Sequence, residues 1–317
     1  MKSNNLKILI IGFGSIGQRH YQNLKKLGYK DIYVFDVDQI RIKNQGLRIK
    51  KIDEKSLKDF DVVFVCTPNH LHLKYAILAA KAACHLFIEK PLSHSLNELN
   101  PLIKICQKNQ LITMVGCNLR FNPAVQFIKK YLETGKLGKI YAIHHEFGYY
   151  LPYWRPKRDY RKNYAVKRAW GGGIILDDIH EFDLLFWLSN FSEVKKAKFI
   201  YDKISNLQIE TEDICVAAFQ FKNGAIGSIR CDYLQQVPSR NLKVIGGKGN
   251  LEFDFNTNEV WFKNNKKSQK LFKVKRGNDN HDYASEIKYF LACVKNKKQT
   301  FNNLNFAVKT LAICLER

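Results

Sequence analysis

The chain has 317 residues, 45% of them hydrophobic and 26% charged, and carries a formal net charge of +23. A length beyond ~250–300 residues implies two domains rather than one core, and the composition is that of a soluble globular protein. No stretch approaches the ~18 apolar residues of a membrane span, and the basic residues form no zinc-finger spacing, basic helix or RNA-binding aromatic motif, so neither membrane nor nucleic acid is the expected partner.

The chain enters a strand within a few residues of its start, without signal-peptide architecture. Residues 6–11 form an apolar run broken only by Lys7, as a parallel strand buried on both faces requires. The run opens into Gly12-Phe13-Gly14-Ser15-Ile16-Gly17, then a helical pattern to Leu27 closed by Gly28. The three glycines of that loop give a tight turn, close approach to a pyrophosphate and close helix–strand packing. The helix start offers N–H groups to phosphate. A second strand over 31–37 ends with Asp36, where a carboxylate accepts the adenosine ribose hydroxyls and repels a 2′-phosphate. NAD(H) is therefore expected ahead of NADP(H), with Arg41 close enough in sequence to temper the repulsion. A helix-capping aspartate is the other reading of Asp36.

A third strand, 61–66, runs into Thr67-Pro68-Asn69, and a helix over 71–83 leads to the strand ending in Glu89-Lys90-Pro91. A lysine there stands where open α/β sheets hold ligands, and the proline ends strand pairing just beyond it. A helix over 95–108 and a strand over 111–117 complete the alternation of a doubly wound Rossmann domain, assigned to residues 1–120.

Residues 121–317 change character. A helix over 123–132 precedes strands over 140–147, 197–201, 214–221, 225–231, 242–245, 250–255 and 259–262, with turn signals such as Asn223-Gly224 between them. Helices over 283–295 and 306–316 follow. This describes an α+β domain on an open, mainly antiparallel sheet, expected to bind substrate and to join subunits into a homodimer or homotetramer. The eight cysteines are scattered and never form Cys-x-x-Cys. They read as reduced core thiols of a cytoplasmic protein.

Two segments of this half carry candidate chemistry. Residues 149–170 read as a long loop bearing Tyr149, Trp154, Arg155, Tyr160 and Arg161. Aromatic faces stack on sugar rings, and arginine forks grip carboxylate or phosphate. With Arg120 these are candidates for binding an anionic, sugar-like substrate, although an oligomer interface uses the same residue types. Next come Gly171-Gly172-Gly173, suited to close approach of a ligand, and an amphipathic run read as one helix. On that helix Asp177, His180 and Asp183 are neighbours at i, i+3 and i+6. A histidine flanked by carboxylates can be held in one tautomer as a proton shuttle. No third ligand at a telling spacing accompanies it, so no metal is expected.

Together the glycine loop at 12–17, Thr67-Pro68-Asn69, Glu89-Lys90-Pro91 and the triple glycine followed by Asp177 and His180 resemble the Gfo/Idh/MocA family of nicotinamide-dependent oxidoreductases. The likeness extends over nearly the whole chain. It implies a catalytic group of Lys90, Asp177 and His180, with Glu89 and Lys90 bordering the nicotinamide, and hydride exchange at a carbinol carbon of a sugar-like substrate. The family usually places four positions between its aspartate and histidine, often with a glycine; here the step is three and no glycine intervenes, which touches Asp177 more than His180. Ile179-His180-Glu181 and the 151–160 segment look like a branch associated with bacterial surface-sugar pathways, implying an acidic or nucleotide-linked sugar. The alternative class is a regulatory or interaction protein that binds NAD(H) without turnover.

Overall fold

The computed structural model describes residues 6–45, 47–49, 51–156, 158–274 and 280–316. The chain divides into two compact units, one of residues 1–118 with 280–312 and one of residues 119–279 with 313–317. Residues 280–312, which the sequence reading placed in the second domain, group with the first.

In the first unit β1 (Ile8–Ile11), α1 (Ser15–Lys26), β2 (Ile32–Phe35), α2 (Glu54–Leu57), β3 (Val62–Val65), α3 (His72–Lys81), β4 (His85–Glu89), α4 (Leu99–Lys108) and β5 (Thr113–Gly116) alternate. The strands pair in parallel in the order β2-β1-β3-β4-β5. β1 and β3 are buried at every position, because a sheet covered on both faces has no polar side. Strand order reverses between β1 and β3, so the crevice beyond their carboxyl ends is the switch point where such sheets bind ligands. α4 starts at Leu99 and not at Ser95, since Glu98 is left-handed (φ 61°), a conformation a right-handed helix cannot include.

The second unit contains α5 (Pro123–Glu133), β6 (Ile140–Tyr150), α6 (Leu151–Trp154), α7 (Ile174–Asp177) and α8 (Ile179–Leu188). Its remaining strands are β7 (Val194–Asp202), β8 (Ile214–Phe221), β9 (Ile226–Asp232), β10 (Leu234–Gly246), β11 (Gly249–Asp254), β12 (Glu259–Lys263) and β13 (Ser268–Lys273). They form one sheet in the order β13-β12-β11-β10-β6-β9-β8-β7. Among the described residues every pairing in it is antiparallel except β6 with β9. α8 covers β6 and β9, and α5 covers β12 and β13. Phe182 and Phe186 of α8 meet Phe199, Phe219 and Phe221. Val216 and Ile226 alternate to the other face and are exposed, as is Ile200, which pairs with Val216 from β7.

The chain returns to the first unit with α9 (His281–Lys295), followed by α10 (Leu304–Leu315). α9 packs on α1, and the Phe290 ring lies 5.9 Å from Phe64 and 5.6 Å from Phe87. Residues 299–302 run beside β5. There Val115 N donates to Asn302 O (2.9 Å), and the Thr300 and Asn302 side chains donate to the carbonyls of Thr113 and Val115, each at 2.6 Å. Groups on the edge strand β5 that would otherwise invite a further strand are thereby taken. All eight cysteines are buried thiols outside any disulfide, and burial pushes the Cys84 and Cys106 thiols up to about 12. Among the described residues no helix is long and apolar enough to cross a membrane.

Candidate functional site

The glycine loop joins β1 to α1 at the switch point. Gly12 has φ +92°, and a Cβ on it would lie 2.6 Å from Cys66 O; a Cβ on Gly17 would lie 2.0 Å from Gly12 O. Only glycine permits this packing of turn, helix and β3. Gly14 is different: a Cβ there meets nothing within 4 Å, so this side of the loop is open to a ligand. The amino end of α1 begins at Ser15 and Ile16 with no side-chain cap and no acidic residue in its first turn, leaving donors for an anion. Asp36 is buried. Its Oδ2 accepts from Phe13 N at 2.6 Å and its Oδ1 from Asp38 N at 2.8 Å, which binds the end of β2 to the loop. The Arg41 guanidinium stands 3.8 Å from Asp36 and 3.1 Å from Asp38. The Thr67 hydroxyl, beside Pro68 and the buried Asn69, is buried without a hydrogen-bond partner among the described residues. An open glycine cradle, uncapped helix donors, a carboxylate at the end of β2 and an orphaned hydroxyl fit a dinucleotide.

Glu89 ends β4, and Lys90 follows it. Glu89 turns inward, with Oε1 2.5 Å from Nε2 of the fully buried His20. Lys90 is half-buried, and its peptide bond to Pro91 is cis. His72, absent from the sequence candidates, stands between the two loops: Nδ1 lies 2.7 Å from Pro91 O and Nε2 2.8 Å from Thr67 O, and the neutral ring has one N–H to donate to one of these carbonyls. Burial holds this imidazole below its usual range, against the pull of the two carbonyls. No motif marks His72, because its partners are backbone oxygens of two loops brought together by the sheet. His20 had a faint signal, standing one helical turn past Gly17.

In the second unit Asp177 and His180 do not share a helix. α7 ends at Asp177, Asp178 leaves helical geometry (φ −101°, ψ 30°), and α8 starts at Ile179. Asp177 therefore does not share a helical face with His180 and Asp183, which both lie on α8 three residues apart. Asp177 instead receives three phenols: Tyr164 at 2.5 Å, Tyr233 at 3.1 Å and Tyr149 at 3.3 Å. Burial, and then the charges of Asp177 and Asp178, hold the Tyr149 and Tyr233 hydroxyls well above the ordinary phenol range, so they stay protonated as donors. Asp183 is buried against Arg120, and Glu181 is buried between His145 and Arg240. His180 is half-buried in the first turn of α8.

The expected substrate residues separate. Arg120 has no exposed surface; its Nε and Nη2 meet both oxygens of Asp183 at 2.7 and 2.6 Å, with the Phe191 ring 5.0 Å away. Its guanidinium is consumed within the fold, which removes it from the substrate candidates. Tyr149 is buried on Asp177, and Trp154, half-exposed, lies 4.4 Å from the Tyr149 ring. Arg161 forks onto Asp159 at 2.8 and 2.9 Å, and the Tyr160 hydroxyl accepts from Gln208 N. Arg155 is exposed. The 149–170 segment is less irregular than a loop, since β6 runs to Tyr150 and α6 follows directly. The triple glycine serves the chain itself: a Cβ on Gly172 would lie 2.4 Å from Ala165 O, and one on Gly173 2.4 Å from Glu212 Oε1.

Residues 6–117 match the model of an oxidoreductase family with an NAD-binding Rossmann fold, and residues 125–252 match the GFO/IDH/MocA C-terminal domain. The uncharacterized oxidoreductase YrbE of Bacillus subtilis is 30% identical over 259 residues, 77% of this chain and 72% of that protein. The myo-inositol 2-dehydrogenase of Thermotoga maritima is 30% identical over 267 residues, 78% of this chain and 75% of that protein. The crystal structure of a probable dehydrogenase from Thermotoga maritima has a TM-score of 0.80 at 25% identity, covering 98% of this chain and 95% of that one.

Proposed function

We infer that this chain, which belongs to the Gfo/Idh/MocA family of oxidoreductases, exchanges a hydride at a carbinol or carbonyl carbon of a sugar or sugar derivative. It is an NAD(P)-dependent dehydrogenase of CH–OH groups, with an NAD-binding first domain. The observation that carries the reading is that the glycine loop, Asp36, Thr67 and Lys90 all stand at the carboxyl ends of strands of one parallel sheet. The nicotinamide, when bound, supplies the hydride chemistry. Gly12 to Gly17 and the amino end of α1 would hold the pyrophosphate, and Asp36 the adenosine ribose. The Lys90 ammonium hydrogen-bonds the reacting substrate oxygen and stabilises it as negative charge develops. His180 takes the hydroxyl proton in oxidation and returns it in reduction. Asp177, its oxygens taken by phenols, fixes the segment between β6 and α7 and is not the base.

The finer reading is a sugar bearing a carboxylate or a nucleotide, as in surface-polysaccharide synthesis. What supports it is exposed Arg155 beside exposed Tyr153 and Trp154. The buried thiols suit a reducing, cytoplasmic compartment. The exposed apolar pair Ile200 and Val216, with Ile226 farther along the same sheet face, suits pairing of two sheets in a homodimer. The test is a screen of polyols, sugar acids and nucleotide sugars with NAD and NADP, read at the reduced-nicotinamide absorbance. Turnover of an acidic sugar that weakens in Arg155→Ala supports the finer reading. A neutral polyol as best substrate, indifferent to that change, overturns it, and binding of NAD with no turnover of any sugar overturns the reaction itself.

A further inference from the structure

Within the first unit three titratable side chains from three elements meet without a part in the reaction just described: His20 on α1, Glu89 at the end of β4 and Glu286 on α9. One potential ligand atom of each lies within 4.8 Å of the other two, and all three residues are buried. The rings of Phe64, Phe87 and Tyr283 stand 5.7, 5.2 and 6.3 Å from the His20 ring, so the surroundings are apolar. Glu286 is 1% exposed, and neither carboxyl oxygen has a hydrogen-bond partner among the described residues. An ionised carboxylate in that position would lack the contacts that make a buried charge tolerable.

The three ligand types could suggest a cation. The 2.5 Å between His20 Nε2 and Glu89 Oε1 argues otherwise: two ligands each ~2.0–2.2 Å from one ion stand more than ~3 Å apart at tetrahedral angles. That separation is a charge-assisted hydrogen bond. We propose that Glu286 sits as an uncharged carboxylic acid beside the His20–Glu89 pair and, by staying uncharged, leaves closed the contact that fixes the end of β4 from which Lys90 departs. This rests on the part assigned to Lys90 above.

The charges acting on Glu286 are Glu89 from β4 and Asp282 on α9 itself, with His20 of α1 within reach; Cys66 beyond β3 and Tyr283 on α9 feel the Glu286 charge, and Arg19 and Lys90 face Tyr283. Burial first, then Glu89 and Asp282, push Glu286 well above the ordinary 4.5. Ionisation would set two carboxylates against one imidazole and repel Glu89 from its seat. Above 4.5 the unfolded chain has given up this proton and the folded chain retains it, so the glutamate lowers stability increasingly as pH rises.

Glu286→Gln keeps the shape and a neutral end, whereas Glu286→Leu removes the polar end. The Gln variant is expected to match the unmodified protein in Tm near pH 4.5 and to exceed it by a margin that widens toward neutral pH. Difference infrared spectra at neutral pH should show a carboxylic-acid carbonyl band that the Gln variant lacks. In turnover, Gln and Leu should both keep kcat within about twofold at unchanged KM for NAD, since each leaves the pair facing an uncharged side chain, while a misplaced catalytic group would cost roughly a hundredfold. A Tm deficit in the Gln variant that widens with pH, an absent band, or a Zn²⁺-dependent rise in Tm lost in that variant overturns the neutral acid. A kcat lowered tenfold or more in a folded Leu variant overturns it as well, because the pair would then depend on the acid itself. If no sugar is turned over at all, the Tm and infrared comparisons still judge Glu286, so failure of the reaction and failure of this inference are told apart.

Discussion

Asp36 makes two backbone contacts before any cofactor arrives, and both orient its carboxylate at the end of β2. Asp36→Ser should therefore narrow the preference for NAD over NADP by roughly tenfold or more, the worth of a hydrogen bond to a charged group; equal affinities in the unmodified protein, by calorimetric titration, would refute the assignment. Lys90→Met should lower kcat about 10²–10³ and His180→Ala about 10²–10⁴, with NAD affinity retained. Near-normal turnover in a folded His180→Ala protein would remove that base, and neither Asp183 nor Glu181 offers a free replacement, each being buried in an ion pair. Asp36 and Lys90 were legible because a local motif fixes each one's place on a strand end. Arg120 and Asp177 were not. What decides them is Asp183 for the one, and Tyr149, Tyr164 and Tyr233 for the other, partners that only tertiary structure brings close.

At the scale of elements the same division holds. β1 and β3 were plain because complete burial leaves a continuous apolar signature, while β13, mostly exposed and lysine-rich, has no such pattern. The break between α7 and α8 was hidden, since Asp178 ends a helix by its backbone angles and no proline or glycine marks the spot. A pairing between elements also sets a pH response. Ile112 N donates to His85 Nδ1 at 3.0 Å, which only the neutral ring can accept, and burial, opposed by Asp61, holds His85 below 6.5. The unfolded chain then binds the extra proton first, so stability falls as pH drops below 6.5. His85→Gln, which can accept without titrating, should lose less Tm than the unmodified protein between neutral and mildly acid pH. Parallel losses in the two proteins would exclude His85 as the source.

For the whole molecule, the sheet of the second unit has helices over one face, and Ile200, Val216 and Ile226 stand exposed on the other. Val216→Lys with Ile226→Lys should shift sedimentation toward the monomer while Tm changes little; an unaltered sedimentation profile would place any interface elsewhere. The alternation of the first unit announced its fold, but nothing local announced that 280–312 belong to it, because what joins them to it is contact with α1 and β5, far off in sequence. That arrangement has a consequence for synthesis. β5 leaves the ribosome roughly 190 residues before the stretch that shields its edge, a lag on the order of 10–40 s at 5–20 residues per second. During that interval the nascent Rossmann sheet carries an unguarded border able to pair with a neighbouring chain on the same polysome. Chains arrested before residue 299 should stay protease-sensitive through β5, and chains released past 312 should not. Resistance already present in the shorter chains would show that the border is protected by some earlier means.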